Sequence, residues 1–323
     1  MTTRNKLIEI LSKNRDGHIS GQELSLQLDI SRTAVWKHMK ELEKDGYGIE
    51  AVPRKGYRIT DFPDKLSANT VQWGLKTNKI GRRVIHKKEV LSTQIIGHQL
   101  AAEGAPEGTV VIADEQTAGK GRMNRKWHSA KGEGIWMSIV LRPGIMPHIA
   151  PQITLMTATV LANAIQEVTG LNPQIKWPND IMINGRKTAG ILTEMQAEQD
   201  QVQYIVLGIG MNVNQLETAM PAELHKKATS LRQETGQLWN LNTLIQTILS
   251  NFESAYDHFL QYGFSDTKQK WESLAYKMGE IVTINTPGRQ WKAELVGLAA
   301  NGAVQVRTAD NKVETLYSAE IQW

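Results

Sequence analysis

The apolar residues of this chain change their spacing along its length, so no single secondary-structure period can serve all of it. "NKLIEILSKN" sets Leu7, Ile8 and Leu11 at helical spacing. "SGQELSLQLDI" opens with Ser20 and Glu23 at the separation of a capping box and repeats Leu24 and Leu28 one turn apart. "SRTAVWKHMKELEKDG" starts at a Ser cap, carries Val35, Met39 and Leu42 as its apolar stripe, and meets a stop at Gly46. "YGIEAVPRKGYRIT" predicts two short strands around Pro53–Gly56. From about residue 275 strict alternation takes over, with turns at Pro287–Gly288, Asn301–Gly302 and Asp310–Asn311. That even spacing predicts a small β-barrel.

Between these ends the signals mix. Strands are predicted at 109–114, 134–141, 181–183, 188–195 and 203–210, and Asn184–Gly185 is a two-residue hairpin signal between two of them. Long helices are predicted from about Ile149 to Val168 and from about Leu241 to Tyr262. Hairpins interspersed with helices favour α+β over a doubly wound sheet. A chain of 323 residues is too long for one ordinary core. The expected division is 1–62, a linker at 63–82, a catalytic region at 83–272, and a barrel at 273–323.

Three helices, a tight turn and a hairpin make a winged helix-turn-helix. "DIS" joins the second and third helices, the short turn that such motifs require. The third helix turns Arg32, Thr33, Trp36, Lys37 and Lys40 away from its apolar stripe. Such a face suits a major groove, and Arg54, Lys55 and Arg58 on the wing suit phosphates. The plainer alternative is a three-helix bundle with a solvated basic face.

"EQTAGKGRMNRKWHS" (115–129) packs Lys120, Arg122, Arg125 and Lys126 around Gly119 and Gly121. Glycine lets backbone N–H groups approach an anion, and the cations add charge-assisted donors. The run lacks a Walker spacing, and Asn124 breaks the dinucleotide fingerprint. A solvated surface loop is the competing reading, but Trp127 beside the cations suggests stacking on a base. In "IKWPNDIMINGRKTAGIL" (175–192), Asn179 and Asp180 fall at a turn and Lys187 follows the hairpin. Asp180 either neutralises a cation or simply orders the turn, and Lys187 alone is one lysine among many.

Other chemistries are excluded. The sequence has no Cys, which rules out disulfides, thiolate nucleophiles and cysteine-ligated zinc. Its eight His are scattered, with no H-E-x-x-H, and there is no G-x-S-x-G. No stretch approaches the ~20 apolar residues that span a bilayer, and the N-terminus has no apolar signal core, so a cytoplasmic protein is expected. The net charge of +4 permits a polyanionic partner without requiring one.

Taken together, "STQ" (92–94), "ADEQTAGKGRMNRKWHS" (113–129), "KWPNDIMINGRKTAGILTE" (176–194), "GIGMNVN" (208–214) and "TLYSAEI" (315–321) resemble the bifunctional biotin–protein ligases that repress the biotin operon. The resemblance spans nearly the whole chain. It implies a class II synthetase-like central domain and an SH3-like C-terminal barrel. It implies ATP and Mg²⁺ as cofactors, with the metal carried on the nucleotide and no dedicated site. Biotin would be substrate and biotinyl-5′-AMP both intermediate and corepressor. A biotin carboxyl carrier protein, palindromic operator DNA and a second copy of the chain would be partners. A lipoate-type ligase and a ligand-sensing repressor without turnover are the alternatives.

Carried over by that resemblance, Ser92, Thr93, Gln94 and Gln116 match biotin contacts, and Lys120, Gly121 and Arg122 match the loop that orders over biotin and adenylate. Gly119, Arg125, Trp127, Asn179, Asp180 and Asn212 match nucleotide-side positions, with Trp127 near the adenine. Lys187 matches the catalytic lysine, with Arg122 beside it. Lys120 stands where the family often has Arg, and Gln94 where Asn is common. Lys offers a point charge in place of a planar fork.

Overall fold

The computed structural model describes residues 3–14 and 17–322. The chain forms two compact units, residues 1–75 and 76–323.

The first unit contains α1 (Thr3–Lys13), α2 (Gly21–Leu28), α3 (Arg32–Lys44), a hairpin of β1 (Gly48–Val52) and β2 (Gly56–Asp61), and the short α4 (Ala68–Gln72). Leu7, Leu11, Leu24, Val35, Met39, Leu42 and Ile59 bury together as one core. Truncating such a leucine to alanine typically costs ~2–5 kcal/mol. Serine hydroxyls start the helices: Ser20 accepts from the Glu23 N–H and Ser31 from the Ala34 N–H, both at 3.1 Å. Glu23 does not complete the expected capping box, because its carboxylate takes the Gln27 amide at 3.2 Å. A reciprocal box forms instead at α4, between Ser67 and Thr70. Asp29 adopts a left-handed conformation (φ 52°) in the turn between α2 and α3.

The second unit is built on a seven-stranded sheet. In chain order its elements are β3 (Val84–Val90), α5 (Thr93–Ala102), β4 (Val110–Gln116), β5 (Gly134–Leu141), α6 (Ala150–Thr169), β6 (Gln174–Lys176), β7 (Asp180–Ile183), β8 (Arg186–Glu198), β9 (Gln201–Asn212), α7 (Leu231–Thr235), α8 (Leu241–Tyr262) and α9 (Ser265–Ser273). The strand order is β3-β4-β5-β9-β8-β7-β6, and only β3 and β4 run parallel. Asn184 and Gly185, at φ 49° and 75°, make the expected tight turn between β7 and β8.

The two sheet faces have different occupants. Ala101 of α5 packs on Val140 and Val206. Thr154 of α6 bonds Thr193 at 2.7 Å, and Thr193 is paired with Leu207. Leu207 and Val206 point to opposite faces, so α5 and α6 cover opposite sides. Five further strands, β10 (Ile281–Thr286), β11 (Arg289–Leu298), β12 (Val304–Arg307), β13 (Val313–Leu316) and β14 (Glu320–Gln322), form an antiparallel sheet ordered β13-β12-β11-β10-β14. It belongs to the second unit, with Glu272 of α9 accepting the Leu298 N–H at 2.8 Å.

Candidate functional site

A cavity of about 960 Å³ opens on the α5 face of the large sheet. Its floor is possible because three strand positions carry no side chain. Gly190 pairs with Gly210 across β8 and β9, and Gly208 lies two residues from Gly210 on the same face. A methyl on Gly210 would come within 2.6 Å of the Trp127 indole, and one on Gly208 within 2.8 Å of the Gln94 amide.

At the α5 end the cavity is lined with neutral polar groups. Ser92 caps α5. The Gln116 carbonyl accepts the Thr93 N–H at 2.8 Å and its hydroxyl at 3.2 Å, while the Gln116 amide donates to Ser129 at 2.8 Å. Thr93 also meets Ser138 at 2.8 Å. Gln94 donates to Glu194 at 2.8 Å and accepts from Ser138 at 2.8 Å. Its buried amide is thus engaged at both ends by the protein.

Elsewhere the lining is cationic: eight lysine and arginine side chains face two carboxylates, Asp180 and Glu320. So unbalanced a wall suits an anion bearing several charges. Lys187 Nζ lies 2.6 Å from Asp180 Oδ1 and 5.0 Å from the centroid of the Trp127 ring. Arg122 donates to the Asn179 carbonyl at 3.2 Å, and the Asn179 amide donates to the Ile191 carbonyl at 2.8 Å. Segments far apart in sequence, 120–127 and 179–187, therefore converge at one mouth.

The 115–129 run departs from its expected form in two places. It folds back on itself, with Lys120 and Lys126 bridged and the Trp127 N–H on the Gly119 carbonyl at 2.9 Å. The Gly121 N–H, expected to face an anion, donates to the Arg125 carbonyl at 2.7 Å. Gly119 is buried outside the cavity lining, and a Cβ there would sit 2.5 Å from the Trp127 carbonyl. The arm therefore offers cationic side chains to the cavity, and its Gly121 N–H is taken up within the arm. Arg125 pairs with Glu320 of β14 at 2.8 Å. Asn212 is buried, donating to the Thr229 carbonyl at 3.0 Å and accepting from Gln215 at 3.2 Å, so its amide is held within the protein.

Three lining cations escaped the sequence reading. Lys176 ends β6 opposite Asp180. Lys226 and Lys227 arrive because segment 227–229 runs beside Lys187, with the Lys187 N–H on the Lys227 carbonyl and the Thr229 N–H on the Lys187 carbonyl, both 2.9 Å. The Gly208 and Gly210 pair, two residues apart on one face of β9, is the signal that could have found the bare floor.

Among the described residues no group of three or more His, Asp or Glu forms a metal cage. Asp180, whose Oδ1 lies against the Lys187 ammonium, is the lining carboxylate on the large sheet. A carboxylate so placed suits Mg²⁺ arriving on phosphate oxygens, since that ion keeps few protein ligands.

In the first unit Arg32, Thr33, Trp36, Lys37 and Lys40 are exposed along α3, and Trp36 retains 52% of its surface. Lys40 lies 2.7 Å from Glu43. Arg54 (φ 66°) and Lys55 are exposed at the hairpin tip. Arg58 departs from expectation: it pairs with Glu50 across the hairpin at 2.7 Å.

Fold and cavity together define a DNA-binding type of unit carried with an anion-binding α+β unit. Residues 87–212 match the Biotin/lipoate A/B protein ligase family, residues 3–58 an HTH domain, and residues 277–322 the Biotin protein ligase C terminal domain. The chain is 46% identical to the bifunctional ligase/repressor BirA of Bacillus subtilis, over 99% of this chain and 98% of that one. It is 30% identical to the Escherichia coli protein of the same name, over 83% and 81%. The solved biotin protein ligase from Aquifex aeolicus, in complex with biotin and ATP, aligns with a TM-score of 0.65 at 30% identity, covering 75% of this chain and 99% of that one. The chain belongs to the biotin–protein ligase family, in its bifunctional ligase/repressor branch.

Proposed function

We propose that this protein is an ATP-dependent biotin–protein ligase and a biotinyl-5′-AMP-dependent repressor of biotin genes. The observation that carries the reading is the convergence of Lys187 and Arg122 from separate segments onto one cationic mouth beside a neutral, glycine-floored recess. The recess suits biotin's uncharged rings, with the Thr93–Gln116–Ser138 network ready to exchange hydrogen bonds with the ureido group.

Lys187 and Arg122 then offset the repulsion between biotin's carboxylate and the α-phosphate. The carboxylate oxygen bonds to the α-phosphorus, the bond to the bridging oxygen breaks, and pyrophosphate leaves with the electron pair. Mg²⁺ bound to the nucleotide supplies charge neutralisation on the leaving phosphates. Trp127, under Lys187, offers its indole face to the adenine. In the second step the amine of a carrier-protein lysine attacks the acyl carbon, AMP departs, and the amine's proton passes to solvent. No enzyme nucleophile takes part, in keeping with a chain that lacks Cys.

The α3 face and the Arg54–Lys55 tip supply the DNA contacts. A two-fold homodimer reading a palindromic operator fits a helix-turn-helix of this type. Linkage requires that adenylate strengthening the dimer also strengthen operator binding. A protein that uses ATP and reads an operator works in the cytoplasm. Biotin-dependent ATP–pyrophosphate exchange tests the enzyme directly. Exchange with biotin is expected, and exchange only with lipoate would replace this reading by the lipoate-type one.

A further inference from the structure

Lys176 lies in the cavity wall yet has no part in the chemistry just described. It ends β6, the edge strand, and sits opposite Asp180 in the β6–β7 register. Across the sheet the lining follows a fixed order. Gly208 and Gly210 lie on β9, Lys187 on β8, Asp180 on β7 and Lys176 on β6. At about 4.8 Å per strand, Lys176 stands roughly 14 Å from the β9 glycines and roughly 10 Å from Gly190 on β8.

Past this edge the C-terminal sheet closes the cavity with residues 285–287 and 318–321. Glu320 reaches from it to Arg125 at 2.8 Å, and its charge also acts on Lys176. Burial lowers the pKa of Lys176, Asp180 raises it, and Lys187 lowers it again. A half-buried ammonium among other cations gains from each further anion that reaches it. Asp180 is shared with Lys187, its ion-pair partner. Glu320 is the other lining carboxylate, and it is more than half exposed.

Resting on the ligase reading, we propose that Lys176 and Arg125 hold the β- and γ-phosphates, the part of ATP that leaves as pyrophosphate, and that Glu320 stands in for those phosphates until the nucleotide arrives. The sheet then sorts one extended reactant pair by strand: neutral rings over β9, the reacting carboxylate and α-phosphate at Lys187, and the leaving group at β6. The C-terminal sheet acts as an electrostatic placeholder. It lets a site with this many cations persist without ligand and yields them when a stronger anion enters.

The test separates the two half-reactions in the full-length protein. Biotinyl-5′-adenylate has already lost its β- and γ-phosphates, so Lys176 should matter for forming it and not for using it. Lys176→Met should raise the KM for ATP and the concentration of inorganic pyrophosphate needed for reverse exchange by about tenfold, the scale of one charge-assisted hydrogen bond. Transfer from supplied biotinyl-5′-adenylate to a carrier protein should stay within about twofold, and Lys176→Arg should restore most of the ATP step. Glu320→Gln should lower both concentrations by about two- to fivefold, as expected for releasing an exposed ion pair.

Parallel losses in both half-reactions for Lys176→Met would mark Lys176 as structural and overturn its assignment, as would an unchanged KM for ATP. Weaker or unchanged pyrophosphate binding in Glu320→Gln would overturn the placeholder role. Should Lys176→Met fail to fold, Lys176→Gln carries the same comparison, with the same outcomes expected and overturning. Absence of biotin-dependent exchange in the unaltered protein is a separate failure, that of the ligase reading itself.

Discussion

Lys187 Nζ and Asp180 Oδ1 stand 2.6 Å apart on neighbouring strands, the lysine 30% and the aspartate 22% exposed. The pair holds the ammonium at the cavity mouth before any ligand binds. Lys187→Ala should reduce biotin-dependent ATP–pyrophosphate exchange by at least about a hundredfold, the usual cost of removing a charge-stabilising donor. Its effect on stability should be small, about 1 kcal/mol, because water reaches both partners. Exchange kinetics and a thermal melt on the same sample check this. A large drop in melting temperature matching the lost activity would instead make the lysine a structural one.

The elements that the sequence announced were those whose own residues set their ends. Asn240 caps α8 and Gly263 closes it, and the helix expected from about Leu241 to Tyr262 runs between them. Asn184–Gly185 fixed the β7–β8 hairpin for the same reason. β3 and α5 were not announced. β3 is an edge strand whose exposed Lys87, Lys88 and Glu89 hide its alternation, and α5 is short with glycine at 97. The site divides likewise. Lys187 and Arg122 sit in recognisable runs, whereas Lys176, Lys226 and Lys227 join through strand register and segment pairing, which one sequence does not display. The Gly121 N–H goes to the Arg125 carbonyl of the arm's own return strand, a pairing that one sequence does not display either.

Gly210 has no room for a side chain: a Cβ would meet the Trp127 ring at 2.6 Å. Trp127 Nε1 is buried there without an acceptor, so the ring is held by packing and by the Lys187 ammonium 5.0 Å from its centroid. Gly210→Ala should push the indole off the sheet, at a cost of about 1–3 kcal/mol in stability. Nucleotide binding should weaken more than biotin binding. Calorimetric titration with each ligand, and the emission spectrum of the tryptophans, would check the displacement. An unchanged KM for ATP would remove Trp127 from the nucleotide site.

On α3, Arg32 and Lys37 are exposed on the face that turns away from Val35, Met39 and Leu42. Charge reversal at either, Arg32→Glu or Lys37→Glu, should leave ATP–pyrophosphate exchange unaltered. It should weaken operator binding by tenfold or more, about 1.4 kcal/mol. The salt dependence of binding should flatten by about one counterion for each phosphate that the variant no longer neutralises. Mobility shifts across a salt series measure both quantities. Arg58→Gln should have a smaller effect, because Glu50 already holds that guanidinium across the hairpin.

Glu253 on α8 ties down the chain where the second unit begins. Its carboxylate accepts the backbone N–H groups of Asn78 at 2.5 Å, Lys79 at 2.8 Å and Ile80 at 2.8 Å. Burial raises its pKa, but the three N–H donors and the charge of Arg82 outweigh that, and the net shift is downward. A depressed carboxylate contributes stability above its unfolded pKa of about 4.3 and loses it as pH falls through the folded value. Glu253→Gln keeps an acceptor but no charge, so it should lower stability at neutral pH by about 1–3 kcal/mol. The gap from the unaltered protein should be constant from pH 8 to about pH 5, then narrow as acid protonates the native carboxyl. Urea unfolding at a series of pH values would follow it, and a gap that widened on acidification would reverse the sign of the argument.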